Sequence, residues 1–214
     1  MWNDDVLWAA MGRTLERVSG HTADVDSLYT WEEPELFYKE AAKNDYLKNL
    51  EQLRRTMAAE NITEYEAEAG TEICRENIAL IEPYVAAHPD TEFCFFLPPY
   101  SILYWERQVE CHRAEYVINV YKTAAETLLA YPNVTFYTFQ KETEYITDLN
   151  NYRDETHHTP EGNRMVFEAM YKGNESYGTQ VTAENVENLA EEMLLFVNDY
   201  PYDTLWEEEQ EATD

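Results

Sequence analysis

Two acidic residues and two adjacent histidines lie close together in the stretch YRDETHHTPEGN, which covers residues 152–163. Asp154 and His157 are three residues apart. An aspartate that hydrogen-bonds to one imidazole nitrogen fixes the tautomer and stabilises the imidazolium, and the other nitrogen can then take a proton from a nucleophile. This spacing is also common by chance. A polar turn in which Asp154 caps the backbone is therefore the alternative.

A metal site is a third interpretation of the same stretch. It would use both histidines together with Asp154 or Glu155, but adjacent histidines rarely converge on one ion. We therefore expect no metal and no cofactor. His158 should point away from His157, and we predict that it forms a wall of the substrate pocket or, alternatively, lies at the surface.

A general base also needs a nucleophile. None of the four serines lies in a G-x-S-x-G or G-D-S setting. They are Ser19, Ser27, Ser101 and Ser176. Ser101 follows an apolar run, but the preceding Pro98-Pro99 pair removes two backbone donors that an oxyanion hole could use. Ser101 is better explained as a helix-capping residue, and we predict that it lines the substrate pocket together with Tyr100.

The elements that must position these residues follow an α/β pattern. Residues 92–97 and 134–139 are short apolar runs, typical of strands buried on both faces, and a helical stripe over about 107–130 separates them. The order strand, helix, strand predicts a parallel pair with a right-handed crossover. The polar segments that follow the two strands, PPYS and the stretch ending in the histidine pair, should then share one rim of the sheet.

Further helices are predicted by apolar residues at helical spacing. They cover about residues 35–58, 71–87, 160–173 and 182–198. Thr159 and Pro160 look like the cap and the first residue of the third, and Thr182 like the cap of the fourth. We expect one α/β domain over residues 1–200, with helices on both faces of a mostly parallel sheet, and an acidic tail over 201–214.

The charge of the chain narrows the choice of partners. A net charge of -28 argues against binding to nucleic acid or to an anionic membrane surface. No apolar run is long enough to span a membrane. The excess of acidic residues is explained by a need for solubility, or alternatively by attraction of a cationic polymer or metal ions.

The three cysteines have no C-x-x-C spacing, which argues against a disulfide framework or a cysteine-based zinc site.

Three stretches carry a family resemblance. HPDTEFCFFLPPYSILYW, YPNVTFYTFQ and ITDLNNYRDETHHTPEGNRM, in this order, resemble the carboxyl-terminal half of an SGNH/GDSL hydrolase-like family of Firmicutes that is distantly DltD-like. The resemblance covers roughly residues 70–190. It implies a three-layer α/β/α sandwich in which Asp154 and His157 match the Asp-x-x-His block. The family's serine block has no match, which implies a domain that is incomplete at its N-terminus.

The resemblance also implies a function. The chain would be the carboxyl-terminal portion of a serine esterase or acyltransferase acting on acyl esters, for example of cell-envelope glycans. His157 would be the general base and Asp154 its orienter, and the chain alone would be inactive. Family members are membrane-anchored and work outside the cytoplasm. The alternative is a non-catalytic acidic binding protein on a hydrolase-like fold. Apolar residues near Trp2 and Trp8 also lead us to expect a homodimer.

Overall fold

The structure is a computed structural model that describes residues 34–60, 65–66, 68–172 and 177–207. Residues from Phe37 onward belong to one compact unit, and the short 3-10 helix Pro34–Leu36 belongs to a separate unit. The apolar residues near Trp2 and Trp8, on which the expected dimer depends, lie outside the described residues.

Helices and short strands alternate along the unit that begins at Phe37. The helices are α1 (Lys39–Ala59), α2 (Ala69–Ile78), α3 (Glu82–Ala87), α4 (Ile102–Glu110), α5 (Ala114–Leu128), α6 (Thr143–Thr147), α7 (Pro160–Lys172) and α8 (Val186–Asp199). The strands are β1 (Phe93–Leu97), β2 (Val134–Thr138) and β3 (Thr179–Val181). Mixed helix and strand content confirms the predicted α/β class.

The sheet is small and mixed. β1 and β2 run parallel, with Phe93 opposite Val134 and Leu97 opposite Thr138, which confirms the parallel pair predicted for these two runs. β3 adds an antiparallel pair on the other edge of β2. Only one of the two strand pairs that the structure describes is therefore parallel.

Apolar side chains pack against both faces of this sheet. Phe136 belongs to a core cluster with Ala125 of α5 and Val186 of α8. Phe139, three positions further on, belongs to a different cluster with Val166 of α7. Because successive side chains of an extended chain alternate between faces, α5 and α8 cover one face and α7 the other.

Two of the predicted continuous helices are each divided in two. The predicted helix over 71–87 is α2 followed by α3, because Pro83 in the first turn of α3 has no N–H to continue the preceding helix. The predicted helix over 107–130 begins earlier, at Ile102, and is interrupted between α4 and α5. His112 adopts a φ of 52° there, a left-handed conformation that ends a right-handed helix.

The longest described helix, α1, is amphipathic. Its buried residues are Ala42, Tyr46, Leu50 and Met57, spaced by one or two helical turns. The other face is charged and exposed. Among all the described residues, no helix is long and apolar enough to cross a membrane.

The first part of the predicted acidic tail packs on the core. A 3-10 helix spans Tyr202–Leu205, and Leu205 is buried in the same cluster as Tyr46 and Trp105. The indole N–H of Trp206 donates to Glu106 Oε1 at 2.8 Å. Residues 208–214 lie outside the described part of the chain.

Candidate acid–base site

The Asp-x-x-His motif lies in a short loop, residues 152–158, which we call the dyad loop. An isolated antiparallel bridge joins Tyr152 to His158 at its base. The Arg153 N–H donates to the His157 carbonyl at 3.0 Å. These contacts close the loop like a small hairpin and hold the intervening residues at its tip.

Asp154 and His157 are in direct contact in this loop. Oδ2 of Asp154 lies 2.7 Å from Nδ1 of His157. The other oxygen, Oδ1, accepts the backbone N–H groups of Thr156 at 2.9 Å and of His157 at 2.8 Å. One carboxylate therefore caps the turn and also holds the imidazole, so the polar turn and the acid–base pair are compatible.

These contacts favour an ionised Asp154. Burial raises the pKa of its carboxyl, but hydrogen bonds from the Thr156 and His157 N–H groups and from the His157 ring outweigh burial, so that the pKa lies below its usual value. A carboxylate acceptor places the proton of a neutral ring on Nδ1 and leaves the lone pair on Nε2. The His157 side chain is 63% exposed.

Glu155 points the opposite way, into the protein. Its side chain is only 3% exposed and forms an ion pair with Arg107 of α4, with Nε and Oε2 2.6 Å apart. Its Oε1 accepts the Asn49 amide of α1 at 3.1 Å. Burial raises the pKa of Glu155, and the Arg107 charge opposes this rise without cancelling it.

Ser101 lies beneath the dyad loop and is fully buried. Its hydroxyl oxygen accepts the Tyr104 N–H at 3.4 Å, which confirms the predicted helix cap, here of α4. The hydroxyl donates to the Glu155 carbonyl at 2.8 Å, and the Ser101 N–H reaches the same oxygen at 3.1 Å. The hydroxyl of Ser101 thus donates its hydrogen bond to a carbonyl oxygen rather than to His157. The substrate contact predicted for Ser101 stays a prediction.

The other two predicted pocket residues are Tyr100, which precedes Ser101, and His158, which lies at the base of the dyad loop. Tyr100 immediately precedes Ser101, and its ring centroid lies 4.7 Å from that of Tyr104. His158 is buried, with its ring edge-on to Tyr145 at 6.2 Å. Burial lowers the pKa of His158, which favours the neutral ring at physiological pH. Substrate contact by Tyr100 and His158 likewise stays a prediction.

The polar segments that follow β1 and β2 meet, as expected for neighbouring parallel strands. The Tyr152 hydroxyl donates to the Pro99 carbonyl at 2.7 Å. Gln140, two residues after β2, donates its side-chain amide to the Pro98 carbonyl and accepts the Trp105 indole N–H at 2.8 Å. The dyad loop therefore lies against the segment PPYS.

The sequence analysis did not predict the buried contacts that hold the loop. It considered Glu155 only as an alternative metal ligand, and it assigned no role to Arg107 or Asn49. The one available signal was an acidic residue inside the Asp-x-x-His spacing itself. Within the described ranges, no group of three or more His, Cys, Asp and Glu side chains could hold a metal ion.

Comparison with known proteins finds no match. The chain matches no family model, and no curated protein or solved structure matches it.

Proposed function

We propose that Asp154 and His157 form the acid–base half of a serine-type acyl-transfer site. The observation that carries this proposal is the 2.7 Å contact between Asp154 Oδ2 and His157 Nδ1, made by an exposed imidazole. It is the relationship between the orienting carboxylate and the general base of a catalytic triad. A histidine held in this way can take a proton from an attacking hydroxyl and return it to the leaving group.

We propose more specifically that the chain is the carboxyl-terminal portion of an SGNH-type esterase or acyltransferase with a three-layer α/β/α sandwich. The parallel pair of β1 and β2, and the helices packed against each face of the sheet, support it. The nucleophilic serine would come from a preceding part of the complete protein. The described Ser101 is buried and donates to a carbonyl, so it does not supply the nucleophile. Because none of the chain's serines lies in a G-x-S-x-G or G-D-S setting, we expect the chain alone to be inactive.

The reaction would consist of two acyl transfers. Nε2 of His157 takes the proton of a serine hydroxyl while the serine oxygen attacks the ester carbonyl, and the departing alcohol then receives that proton. In the second transfer, water or an acceptor hydroxyl attacks the acyl-serine and gives its proton to His157, which passes it to the departing serine oxygen as the acyl–serine bond breaks. Asp154 remains a carboxylate throughout and stabilises the imidazolium. The substrates would be acyl esters, with those of cell-envelope glycans as the favoured class.

A fluorophosphonate probe, which bonds to an activated serine, tests this function. We expect the product of the complete reading frame to be labelled at one serine and the chain of residues 1–214 to remain unlabelled. His157→Gln should slow labelling roughly 10²- to 10⁴-fold, the usual contribution of a positioned general base. His88→Gln, at an exposed histidine, is the matched control. Full labelling of the His157 variant would remove the base role from this residue.

A second candidate function is non-catalytic binding, which an exposed aromatic pair on α7 favours. Phe167 and Tyr171 are one helical turn apart and stack with ring centroids 4.7 Å apart. They are 52% and 68% exposed. Stacked rings on an acidic protein suit a sugar or a cationic polymer.

The two functions respond to different variants. If binding is the function, alanine at both Phe167 and Tyr171 should abolish retention of the chain on immobilised chitosan oligomers. The same double variant should leave fluorophosphonate labelling of the complete protein intact. Equal retention of the variant and the wild type would exclude this aromatic pair as a binding surface.

A further inference from the structure

We infer that Glu155 is the positioning residue of the dyad loop: its clamp between α1 and α4 fixes the direction in which the loop presents Asp154 and His157. The catalytic value of this clamp rests on the proposed function. The clamp itself consists of contacts that exist whatever the function is, and it can be tested without an activity.

The clamp has four contacts from two helices. The Glu155 carboxylate meets the Arg107 guanidinium at 2.6 Å and accepts the Asn49 amide at 3.1 Å. The Glu155 carbonyl accepts the Ser101 N–H at 3.1 Å and the Ser101 hydroxyl at 2.8 Å. Arg107 also lies over the ring of Tyr104, 5.6 Å from its centroid, so the partner of the carboxylate is itself held.

The clamp acts on the neighbouring side chains through the backbone. Glu155 is 3% exposed and faces inward, whereas the His157 side chain is 63% exposed. With its base closed between Tyr152 and His158, the loop cannot turn about its own axis without pulling Glu155 out of the protein. A fixed inward direction at Glu155 therefore fixes the outward direction of the acid–base pair.

Burying a carboxylate in this space costs desolvation free energy. Neither Arg107 Nε nor Glu155 Oε2 has a hydrogen-bond partner of good geometry, so their contact is a charge–charge contact rather than an aligned hydrogen bond. An apolar side chain of similar size would fill the same volume without desolvating a charge. Directional contacts to two helices supply what packing alone does not, which is one defined orientation of the loop.

Such an orientation matters for proton transfer. A displacement of about 1 Å can cost roughly 10²-fold in rate even when it originates away from the reacting atoms. The Glu155 carboxylate contacts Arg107 and Asn49, so it would act by holding the backbone on which Asp154 and His157 lie. It is thus a positioning residue and not a catalytic one.

The ring tautomer of His157 reports on this positioning directly. Long-range ¹H–¹⁵N spectra of the chain of residues 1–214, recorded at a pH where the ring is neutral, show which ring nitrogen carries the proton. We expect Nδ1–H in the wild type. Asp154→Asn should shift the tautomer ratio roughly tenfold toward Nε2–H, as expected for loss of a charge-assisted hydrogen bond. Glu155→Ala should shift it in the same direction.

Conservative and control variants separate positioning from general destabilisation. Glu155→Gln keeps an acceptor for Asn49 and should restore part of the wild-type ratio. Asn49→Ala removes a single contact of the clamp and should give a smaller shift, so the inference remains testable if Glu155→Ala does not fold. Glu106→Gln alters a partly buried carboxylate on the same helix as Arg107 that bonds Trp206 instead, and it should leave the ratio unchanged.

The outcomes distinguish the inference from the proposed function. If Asp154→Asn shifts the ratio and neither Glu155→Ala nor Asn49→Ala does, the clamp does not position the pair, and the proposed function stands. If Asp154→Asn itself has no effect, the pair is not formed in solution and the proposed function fails. An equal shift in Glu106→Gln would reduce the effect of Glu155 to loss of stability and overturn the inference.

Discussion

The backbone of Gly162 lies directly against the hydroxyl of Tyr145, and a Cβ at this position would overlap that oxygen. The same Cβ would lie 2.6 Å from Nδ1 of His158. Tyr145 cannot move away freely, because its hydroxyl is 3.2 Å from Thr159 Oγ1, which also accepts the Gly162 N–H at 3.3 Å. The first turn of α7 packs on Tyr145 because residue 162 has no side chain.

Gly162→Ala is therefore expected to destabilise the protein. Overpacking should lower the free energy of unfolding by about 1–3 kcal/mol, although alanine is favoured over glycine within a helix by about 1 kcal/mol. Urea unfolding followed by circular dichroism measures the difference. Asn163→Ala, at the next and exposed position, should change the value by less than about 0.5 kcal/mol. A more stable Gly162 variant would mean that Tyr145 moves aside without cost.

Tyr152→Phe tests the junction between the dyad loop and PPYS. The Tyr152 side chain is fully buried, and its hydroxyl donates to the Pro99 carbonyl at 2.7 Å. Removing this donor leaves a buried acceptor unpaired and should cost about 1–3 kcal/mol of unfolding free energy. Tyr171→Phe, at an exposed tyrosine, is the control. Equal stability of the two variants would show that water replaces the lost donor.

Asp154→Asn should change how stability depends on pH. The pKa of Asp154 lies below its unfolded value of about 3.9, so the ionised carboxylate stabilises the folded state. This stabilisation is fully present above that value and is lost as the pH falls through the folded pKa. The variant should thus be less stable than the wild type near neutral pH, and the difference should narrow in acid. Asp90→Asn, at an exposed aspartate, should show no such narrowing.

His158→Gln should also change how stability depends on pH, but in a higher pH range than Asp154→Asn. Burial lowers the pKa of His158 below its unfolded value of about 6.5, so the unfolded chain binds the proton first as the pH falls. Wild-type stability should decline from that value down to the folded pKa, and the variant should decline less. Urea unfolding at a series of pH values measures both slopes. Parallel slopes would show that the His158 ring takes up its proton without unfolding.

The elements that the sequence predicted well have strong local signals. The apolar runs around Phe95 and Phe136 have the length and composition of strands, and they form the parallel pair. Burial on both faces was wrong for β1, which is only partly buried and leaves Phe96 exposed. The Thr159-Pro160 start of α7 has a cap and a preset φ in adjacent residues, and the Gly162 N–H bonds the Thr159 hydroxyl as predicted.

The remaining elements depend on contacts that no local pattern encodes. β3 has only three residues, and its extended form follows from pairing with β2. Thr182 was predicted as the cap of the last helix, but α8 begins only at Val186, with Asn185 before it. Thr182 instead starts the turn that leads into α8: its N–H donates to Asn185 Oδ1 at 2.8 Å, and its carbonyl accepts the Val186 N–H at 3.0 Å. The break between α4 and α5 lies at His112, which has a positive φ. A glycine would have indicated such a break, but a histidine does not.

The candidate site shows the same division. The contact between Asp154 and His157 spans three residues, so a local motif could point to it. The contact between Asn49 and Glu155 spans 106 residues and exists only because α1 packs beside the loop. No local pattern in the sequence encodes a pair so far apart along the chain.

The doubly accepting carbonyl of Glu155 makes the dyad loop and the first turn of α4 one cooperative unit. Helix ends normally fray, and their first amides exchange hydrogen rapidly with solvent. Here the Ser101 N–H and hydroxyl both donate to the Glu155 carbonyl, so the loop cannot lift away without breaking two hydrogen bonds of the residue that caps the helix. Opening of this region should therefore be an all-or-none event, in which slow exchange at Ser101 reports on the closed state of the site.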